Sequence, residues 1–297
     1  MLEKKEFDIL SVIESESKTK KLSQRHIASL SGYSVGTVNK VLSSLSEKGL
    51  AGNDKITPAG LAALEPYKVR HAVFLAAGFG SRLVPITLNT PKPLIRVHGK
   101  MIIESLLDAV VNAGIEEIVI VRGYLAEQFD ILKKKYPQIK FVENPLYNEG
   151  NNISSLLAAK DYLKNSYILE SDIILKNPRL VTKYQFQSNY CGVPCDRTDD
   201  WCLSVEKGRI SGVAVGGTDG FRMVGISYWT EKDGEKLAED LQKVYEMPGG
   251  KERYWDNVPL TYCSRDFDLV VRSCSFDDFT EIDTFSELKA IDGAYNV

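Results

Sequence analysis

Six apolar or small residues, Ala72 to Ala77, run directly into the glycine pair Gly78 and Gly80. That junction restricts the fold more than any other stretch. A run so short, stopped at once by glycine, fits one buried strand. Glycine lacks a Cβ, so the turn beyond the strand lets backbone N–H groups approach an anion closely. Ser81 and Arg82 follow, and Lys92 stands between Pro91 and Pro93. Two cations beside such a turn suit a ligand rich in phosphate. No Gly-Lys-Ser/Thr closes the loop, so it is not a P-loop. Leu83 stands where the dinucleotide fingerprint needs a third glycine. The glycines alone would also fit an ordinary strand-to-loop turn.

From residue 71 onward, strand and helix patterns alternate. Helices are expected over 101–112, 125–136 and from Asn151 or Asn152 to Leu163. Strands are expected over 117–121, 140–143 and 167–169. This order predicts an α/β fold, a Rossmann-like, mixed and mostly parallel sheet covered by helices. Ligands of such sheets sit beyond the carboxyl ends of the strands. Asp172 closes the motif Ile168-Leu169-Glu170-Ser171-Asp172 at the end of an apolar strand, where it could equally be a turn residue. Far along the chain, Glu281 and Asp283 flank Ile282, and strand alternation would put both on one side. With Asp172 they would make an oxygen site suited to Mg²⁺. Asp283 or Thr284 could also cap the helix that follows.

Three aromatic groups lie between these acids: Trp201, Tyr228-Trp229 and Tyr254-Trp255-Asp256. Ring faces with a nearby carboxylate hold quaternary ammonium groups. The same rings could instead fill a core.

Residues 1–67 read differently. Phe7, Leu10 and Ile13 recur at helical spacing, Ser23 and Ser34 are capping residues, and Gly32 and Gly49 are stops. A hairpin over 50–58 and a helix over 59–64 complete three helices and a hairpin, an order that resembles a winged helix-turn-helix with Ser34 to Lys48 as recognition helix. Basic residues barely outnumber acidic ones here. Thr37, Asn39, Lys40, Ser43 and Ser44 could meet DNA or merely face solvent. Pro66 marks the linker, giving expected domains 1–67 and 70–297.

Across the 297 residues the net charge is −3, which removes any global basic field aimed at nucleic acid or membrane. The five cysteines form no Cys-x-x-Cys pair and are odd in number, as expected of reduced thiols in a cytoplasmic protein. No signal peptide or apolar membrane span is expected.

Gly78-x-Gly80-Ser81-Arg82-Leu83, Thr87, Pro91-Lys92-x-Leu94 and Val97 together resemble the signature of nucleotidyltransferases of the nucleotide-sugar pyrophosphorylase superfamily. Gly123-Tyr124-Leu125, Asn165-Ser166-Tyr167, Asp200-Trp201, Ser227-Tyr228-Trp229, Tyr254-Trp255-Asp256-Asn257 and Glu281-Ile282-Asp283 resemble the bacterial CTP:phosphocholine cytidylyltransferases, over about 70–292. The resemblance implies the nucleotide-diphospho-sugar transferase fold preceded by a small winged-helix domain. It implies transfer of CMP from CTP to phosphocholine, with Arg82 and Lys92 on the triphosphate and Asp172 on Mg²⁺. Ala76, Ala77, Gly78, Gly80 and Ser81, with Tyr124 and Ser155, would contact the nucleotide. Trp201, Tyr228, Trp229, Tyr254 and Asp256 would hold the acceptor. Glu170 departs from the family, where aspartate is expected. An aminoalkylphosphonate or sugar 1-phosphate acceptor stays open, as does a DNA-binding regulator with a nucleotide-sensing domain.

Overall fold

Helix α1 (Lys4–Glu16) begins the chain in the computed structural model, which describes residues 1–16, 22–52 and 55–296. Ser23 accepts the His26 N–H to start α2 (Gln24–Ser31), and Gly32, at φ 73°, ends it. Only a residue tolerant of the left-handed region fits that exit. Ser34 accepts the Thr37 N–H to start α3 (Val35–Glu47). Strands β1 (Ala51–Gly52) and β2 (Lys55–Ile56) pair antiparallel. The tip of the expected hairpin, residues 53–54, lies outside the described residues. Thr57 caps α4 (Pro58–Leu64). Glu6 on α1 is buried and accepts from Ser44 at 2.8 Å and Lys48 at 2.6 Å, tying α1 to α3.

The chain divides into two units: Met1–Lys68 with Tyr184–Phe186, and Val69–Lys183 with Gln187–Val297. The first unit therefore includes three residues from much later in the chain. Tyr184 belongs to the core of Phe7, Ile9, Leu10, Ile13 and Leu64. Phe186 lies 5.3 Å from Phe7 and stacks on Tyr67 at 5.5 Å.

In the second unit the Ala72–Ala77 run becomes β3 (His71–Ala76). A small ribbon of β4 (Arg96–Val97) and β5 (Lys100–Met101) precedes α5 (Glu104–Asn112). That pairing delays the helix expected from Met101. Next come β6 (Glu117–Arg122), β7 (Ile139–Glu143), α6 (Ile153–Ala158), β8 (Ser166–Glu170) and β9 (Ile173–Leu175). A long hairpin of β10 (Asn189–Glu206) and β11 (Arg209–Trp229) leads to α7 (Glu231–Tyr245). The chain ends through β12 (Val270–Ser273), β13 (Phe279–Glu281) and α8 (Phe285–Ile291).

Seven strands form one sheet in the order β12-β10-β11-β8-β3-β6-β7. β3 runs parallel to β6 and β8, β6 to β7 and β10 to β12; β11 runs antiparallel to both β8 and β10. Alternate residues of β3 enter different cores. Phe74 packs with Ile118, Ile120 and α5, whereas Val73 and Leu75 pack with Val119, Val121, α6 and α7. Both faces are buried, as parallel strands require.

Two expected helices change form. Residues 125–136 fold as 3₁₀ turns over Ala126–Lys134. Arg122 takes the Ala126 carbonyl at 2.9 Å, an acceptor an α-helix would have used. The helix expected to reach Leu163 ends at Ala158 and continues as a 3₁₀ turn, Lys160–Tyr162. Among the described residues, no helix is long and apolar enough to cross a membrane.

Removing residues 1–68 takes the apolar partners from Tyr184 and Phe186. Such a truncation is expected to aggregate, while the same truncation with Tyr184→Ser and Phe186→Ser stays soluble and folded. Light scattering and circular dichroism on the two proteins check this. Equal solubility would mean the two rings are not held by the first unit's core.

Candidate functional site

Beyond β3 the loop doubles back on itself. Gly80 has φ 69°, and a Cβ there would lie 3.1 Å from the Lys92 Cβ and 3.2 Å from Thr87. The Thr87 hydroxyl donates to the Gly80 carbonyl at 3.0 Å. The left-handed backbone favours glycine here, and an added Cβ would crowd Lys92 and Thr87. A small core of Leu83, Ile95, Val97, Ile102, Ile282 and Leu288 fastens this loop to the segment carrying Glu281 and Asp283.

Parallel pairing of β3 with β8 brings Asp172 to the loop's end of the sheet. Antiparallel pairing of β9 with β13 sets Glu281 opposite Ile173, and the Ile282 N–H donates to the Asp172 carbonyl at 3.1 Å. One oxygen from each of Asp172, Glu281 and Asp283 lies within 4.8 Å of the others. Asp283 stands just beyond β13, and Thr284, not Asp283, caps α8.

Cations interleave with these acids. The Lys92 ammonium lies 2.8 Å from Asp172 and 3.0 Å from Asp283. Arg82 reaches Asp283 at 2.8 Å, and Arg222 reaches Glu281 at 2.7 Å and Asp200 at 2.9 Å. Burial works to lower the Lys92 ammonium, but the two carboxylates outweigh it and hold it above its ordinary value. Burial and the Asp172 charge push Glu281 up to about 7, although Arg222 opposes them. The Asp172 Oδ1 is buried without a hydrogen-bond partner among the described residues. Three carboxylates, one with an orphaned oxygen, fit a hard divalent cation.

Two cavities meet at Asp172. The smaller, about 150 Å³, is lined by Ala76, Ala77, Gly78, Gly80, Lys92 and Ser155. The larger, about 510 Å³, is lined by Arg82, Tyr190, Trp201, Tyr254, Trp255, Asp256, Glu281 and Asp283. Asn152, Glu170 and Asp172 line both. Trp201 meets Tyr254 edge-on at 5.4 Å, and Tyr190 stacks with Trp255 at 6.0 Å. The Tyr190 hydroxyl donates to Asp256 at 3.0 Å.

Trp201, Tyr254 and Asp256 thus line one wall, but Tyr228 and Trp229 do not. Both are buried in β11 beside β8, on opposite faces of the sheet. Tyr228 donates to Asn165 at 3.2 Å, and the Trp229 indole donates to Ser227 at 3.0 Å. Trp229 supports the wall from behind, edge-on to Tyr190 and Trp255. Ser155 accepts from Asn144 at 3.0 Å inside the smaller cavity. Ser81 and Tyr124 line neither cavity. Tyr124 donates to the Leu88 carbonyl at 3.1 Å and sits edge-on to Phe79. Sequence reasoning missed Tyr190, Trp255, Asn152 and Arg222. Trp255 stood in a motif already singled out, whereas nothing local marked Tyr190.

A family model described as nucleotidyl transferase matches residues 71–196. A 2-aminoethylphosphonate cytidylyltransferase of Lancefieldella rimae is 37% identical over 229 residues, 76% of this chain and 93% of that protein. A choline-phosphate cytidylyltransferase of Streptococcus pneumoniae is 33% identical over 224 residues, 74% of this chain and 96% of that protein. The solved structure of a CTP:phosphocholine cytidylyltransferase from Streptococcus pneumoniae superposes with a TM-score of 0.70 at 32% identity, covering 76% of this chain and 99% of that one.

Burial lifts the Asp256 carboxyl from 3.8 to about 7, with the Tyr190 hydrogen bond offsetting part of the rise. The folded state then keeps a proton that the unfolded chain releases, so this group's contribution to stability falls as pH climbs from about 4 to 7. At about 1.36 kcal/mol per pK unit the loss is on the order of a few kcal/mol. Asp256→Asn is expected to flatten that slope and to be the more stable form at pH 8. Denaturant unfolding of both proteins from pH 5 to 8 measures it, and parallel curves would refute the burial argument.

Proposed function

This chain belongs to the nucleotidyltransferase family, and we propose that it is a cytidylyltransferase whose acceptor is a short phosphate or phosphonate with a cationic nitrogen head. One observation carries the reading: a glycine-walled cavity and an aromatic, acidic cavity meet at Asp172, beside Glu281 and Asp283. The relatives that act with CTP support the choice of nucleotide. Phosphocholine and an aminoalkylphosphonate both carry such a head. A sugar 1-phosphate does not, and its hydroxyls would meet rings and carboxylates there.

In this reading an acceptor oxygen attacks the α-phosphorus of CTP, the bond to the bridging oxygen breaks, and pyrophosphate leaves. The chain's part is positioning and charge neutralisation. Gly78 leaves room for the triphosphate, because a Cβ there would meet nothing. Lys92 and Arg82, now held by Asp172 and Asp283, neutralise phosphate oxygens. The carboxylates of Asp172, Glu281 and Asp283 would hold Mg²⁺, which adds charge neutralisation at the transferring phosphoryl group. Trp201 and Tyr254 offer ring faces to the cationic head, whose charge favours the ionised form of the buried Asp256 beside it.

The amino-terminal unit supports a second reading, a winged helix-turn-helix that contacts DNA. Asn39, Lys40 and Ser43 form an exposed face on α3 free of acids before Glu47. Binding to duplex DNA, if present, should weaken linearly in log–log against salt. A chain that shows no binding at low salt would reduce this unit to a packing or dimerisation module.

Pyrophosphate release with CTP and a cationic-head acceptor should exceed that with other nucleoside triphosphates. Lys92→Ala and Asp172→Ala should each lose roughly 10²–10³-fold in kcat while keeping the fold, as removal of a preorganised charge does. Near-normal turnover by purified Asp172→Ala would overturn the site assignment.

A further inference from the structure

Glu170 ends β8 two residues before Asp172 and lines both cavities. Its Oε1 is fixed from two sides: the Trp255 indole donates at 3.3 Å and the Asn152 amide at 3.4 Å. Asn152 in turn accepts the Trp255 N–H at 2.9 Å, so the three residues form a closed ring of bonds. Across the sheet stands Gly225, where a Cβ would lie 2.6 Å from both Cβ and Cγ of Glu170. A larger residue at Gly225 would force this side chain to move. The other oxygen of Glu170 has no hydrogen-bond partner among the described residues.

Asp256 repeats the arrangement on the same cavity. It is 7% exposed, and one oxygen accepts from Tyr190 at 3.0 Å. Its carboxyl also accepts from its own backbone N–H. Two carboxyl groups thus share one ring-lined cavity, each oriented by an aromatic donor. A quaternary ammonium has no N–H and needs only ring faces and countercharge. Carboxyl oxygens that face a cavity are matched better by a head that donates than by one that offers only methyl groups. A primary ammonium brings three donors.

We propose that Glu170, acting with Asp256, is a specificity-determining residue that selects an acceptor ending in a primary ammonium over its trimethylated counterpart. This rests on the cytidylyltransferase reading of the same site. Methylation would remove the N–H groups and leave both carboxylate oxygens facing methyls. The nearness of Glu170 to Asp172 requires a short spacer between nitrogen and phosphorus. A phosphate ester and a phosphonate share that chemistry.

Phosphoethanolamine and phosphocholine differ only in N-methylation, so they isolate the effect; 2-aminoethylphosphonate separates phosphonate from ester. Calorimetric binding of all three to the full chain with Mg²⁺ is measured beside pyrophosphate release with CTP. Wild type should bind phosphoethanolamine at least tenfold more tightly than phosphocholine. Glu170→Gln keeps an oxygen for Trp255 and Asn152 but replaces the second acceptor oxygen with an amide that donates. It should reduce that preference at least tenfold, through the acceptor KM, while the KM for CTP holds. Should the phosphonate bind more tightly than phosphoethanolamine, the phosphonate is the source of the head. Equal or tighter binding of phosphocholine by wild type overturns the proposal whatever the variant does. So does a Glu170→Gln that weakens both heads and CTP alike, since that marks a merely structural residue. Discrimination in binding with no transfer from CTP would instead sink the cytidylyltransferase reading and leave the ammonium site standing.

Discussion

The Lys92 ammonium, clasped between Asp172 and Asp283, is what allows three carboxylates to gather at one end of the sheet. Like charges about 5 Å apart repel by roughly 3 kcal/mol per pair at an effective dielectric of 20. Such a group would spread or take up protons without nearby cations. Lys92, Arg82 and Arg222 supply them, one on each side of the cluster. Burial, together with the Asp172 charge, lifts Glu281 to about 7 against the pull of Arg222. In the proposed reaction the partners exchange. A triphosphate competes for Lys92 and Arg82, and a divalent cation competes for the acids they release. The side chains are therefore in place before ligand arrives, which limits the reorganisation that charge development would otherwise require.

The sheet holds that cluster to register. β8 beside β3 fixes Asp172 against the glycine loop, and β9 with β13 fixes Glu281 against Asp172. The long β10–β11 hairpin then carries the aromatic wall to the same place. Its register shifts between Thr198 and Trp201. Such a bulge re-aims side chains and sharpens twist. Gly217 and Gly220 clear the space that Cys202 occupies where the arms cross, since a Cβ at either would lie within 2.8 Å of the Cys202 sulfur. Arg222 finally ties the hairpin to the acids, bridging Asp200 on β10 and Glu281 on β13.

Features that are local in the chain could be read from the sequence. The strand-to-glycine junction was legible from spacing, and strand alternation suggested that Glu281 and Asp283 share a side, although Asp283 lies beyond β13; the roles of Lys92 and Asp172 rested on the family signature. Ring identity was equally visible, but ring direction was not. Tyr228 and Trp229 are neighbours in a strand, so they point to opposite faces, and both faces of this sheet are core. Tyr190 reaches the cavity only because β10 lies beside β11, a long-range pairing with no local mark. The pattern over 125–136 did suit a helix, yet the Arg122 side chain takes the Ala126 carbonyl and the segment folds as 3₁₀ turns. The first unit's share of Tyr184–Phe186 was hidden for the same reason, since a linker at Pro66 says nothing of residues far beyond it.

The shared wall of the two cavities has a consequence for how such a site can diverge. Tyr190, Trp201, Tyr254, Trp255 and Asp256 touch only the larger cavity, while Gly78, Gly80, Lys92 and Ser155 touch only the smaller. In the proposed reading, changes at Tyr190, Trp201, Tyr254 or Asp256 would act on the head and leave the nucleotide side alone, whereas Trp255 is bonded to Asn152 and Glu170. Asn152, Glu170 and Asp172 have no such freedom. Asn152 bonds both Glu170 and the Trp255 backbone, so a shift on the acceptor side reaches the nucleotide side through it. Catalysis by positioning tolerates little of that displacement, since small misplacements of reacting groups cost large factors in rate. Residues free to diversify the acceptor are therefore Tyr190, Trp201, Tyr254 and Asp256, whereas a change at Glu170 must keep the bonds to Asn152 and Trp255 while it alters the group presented to the head.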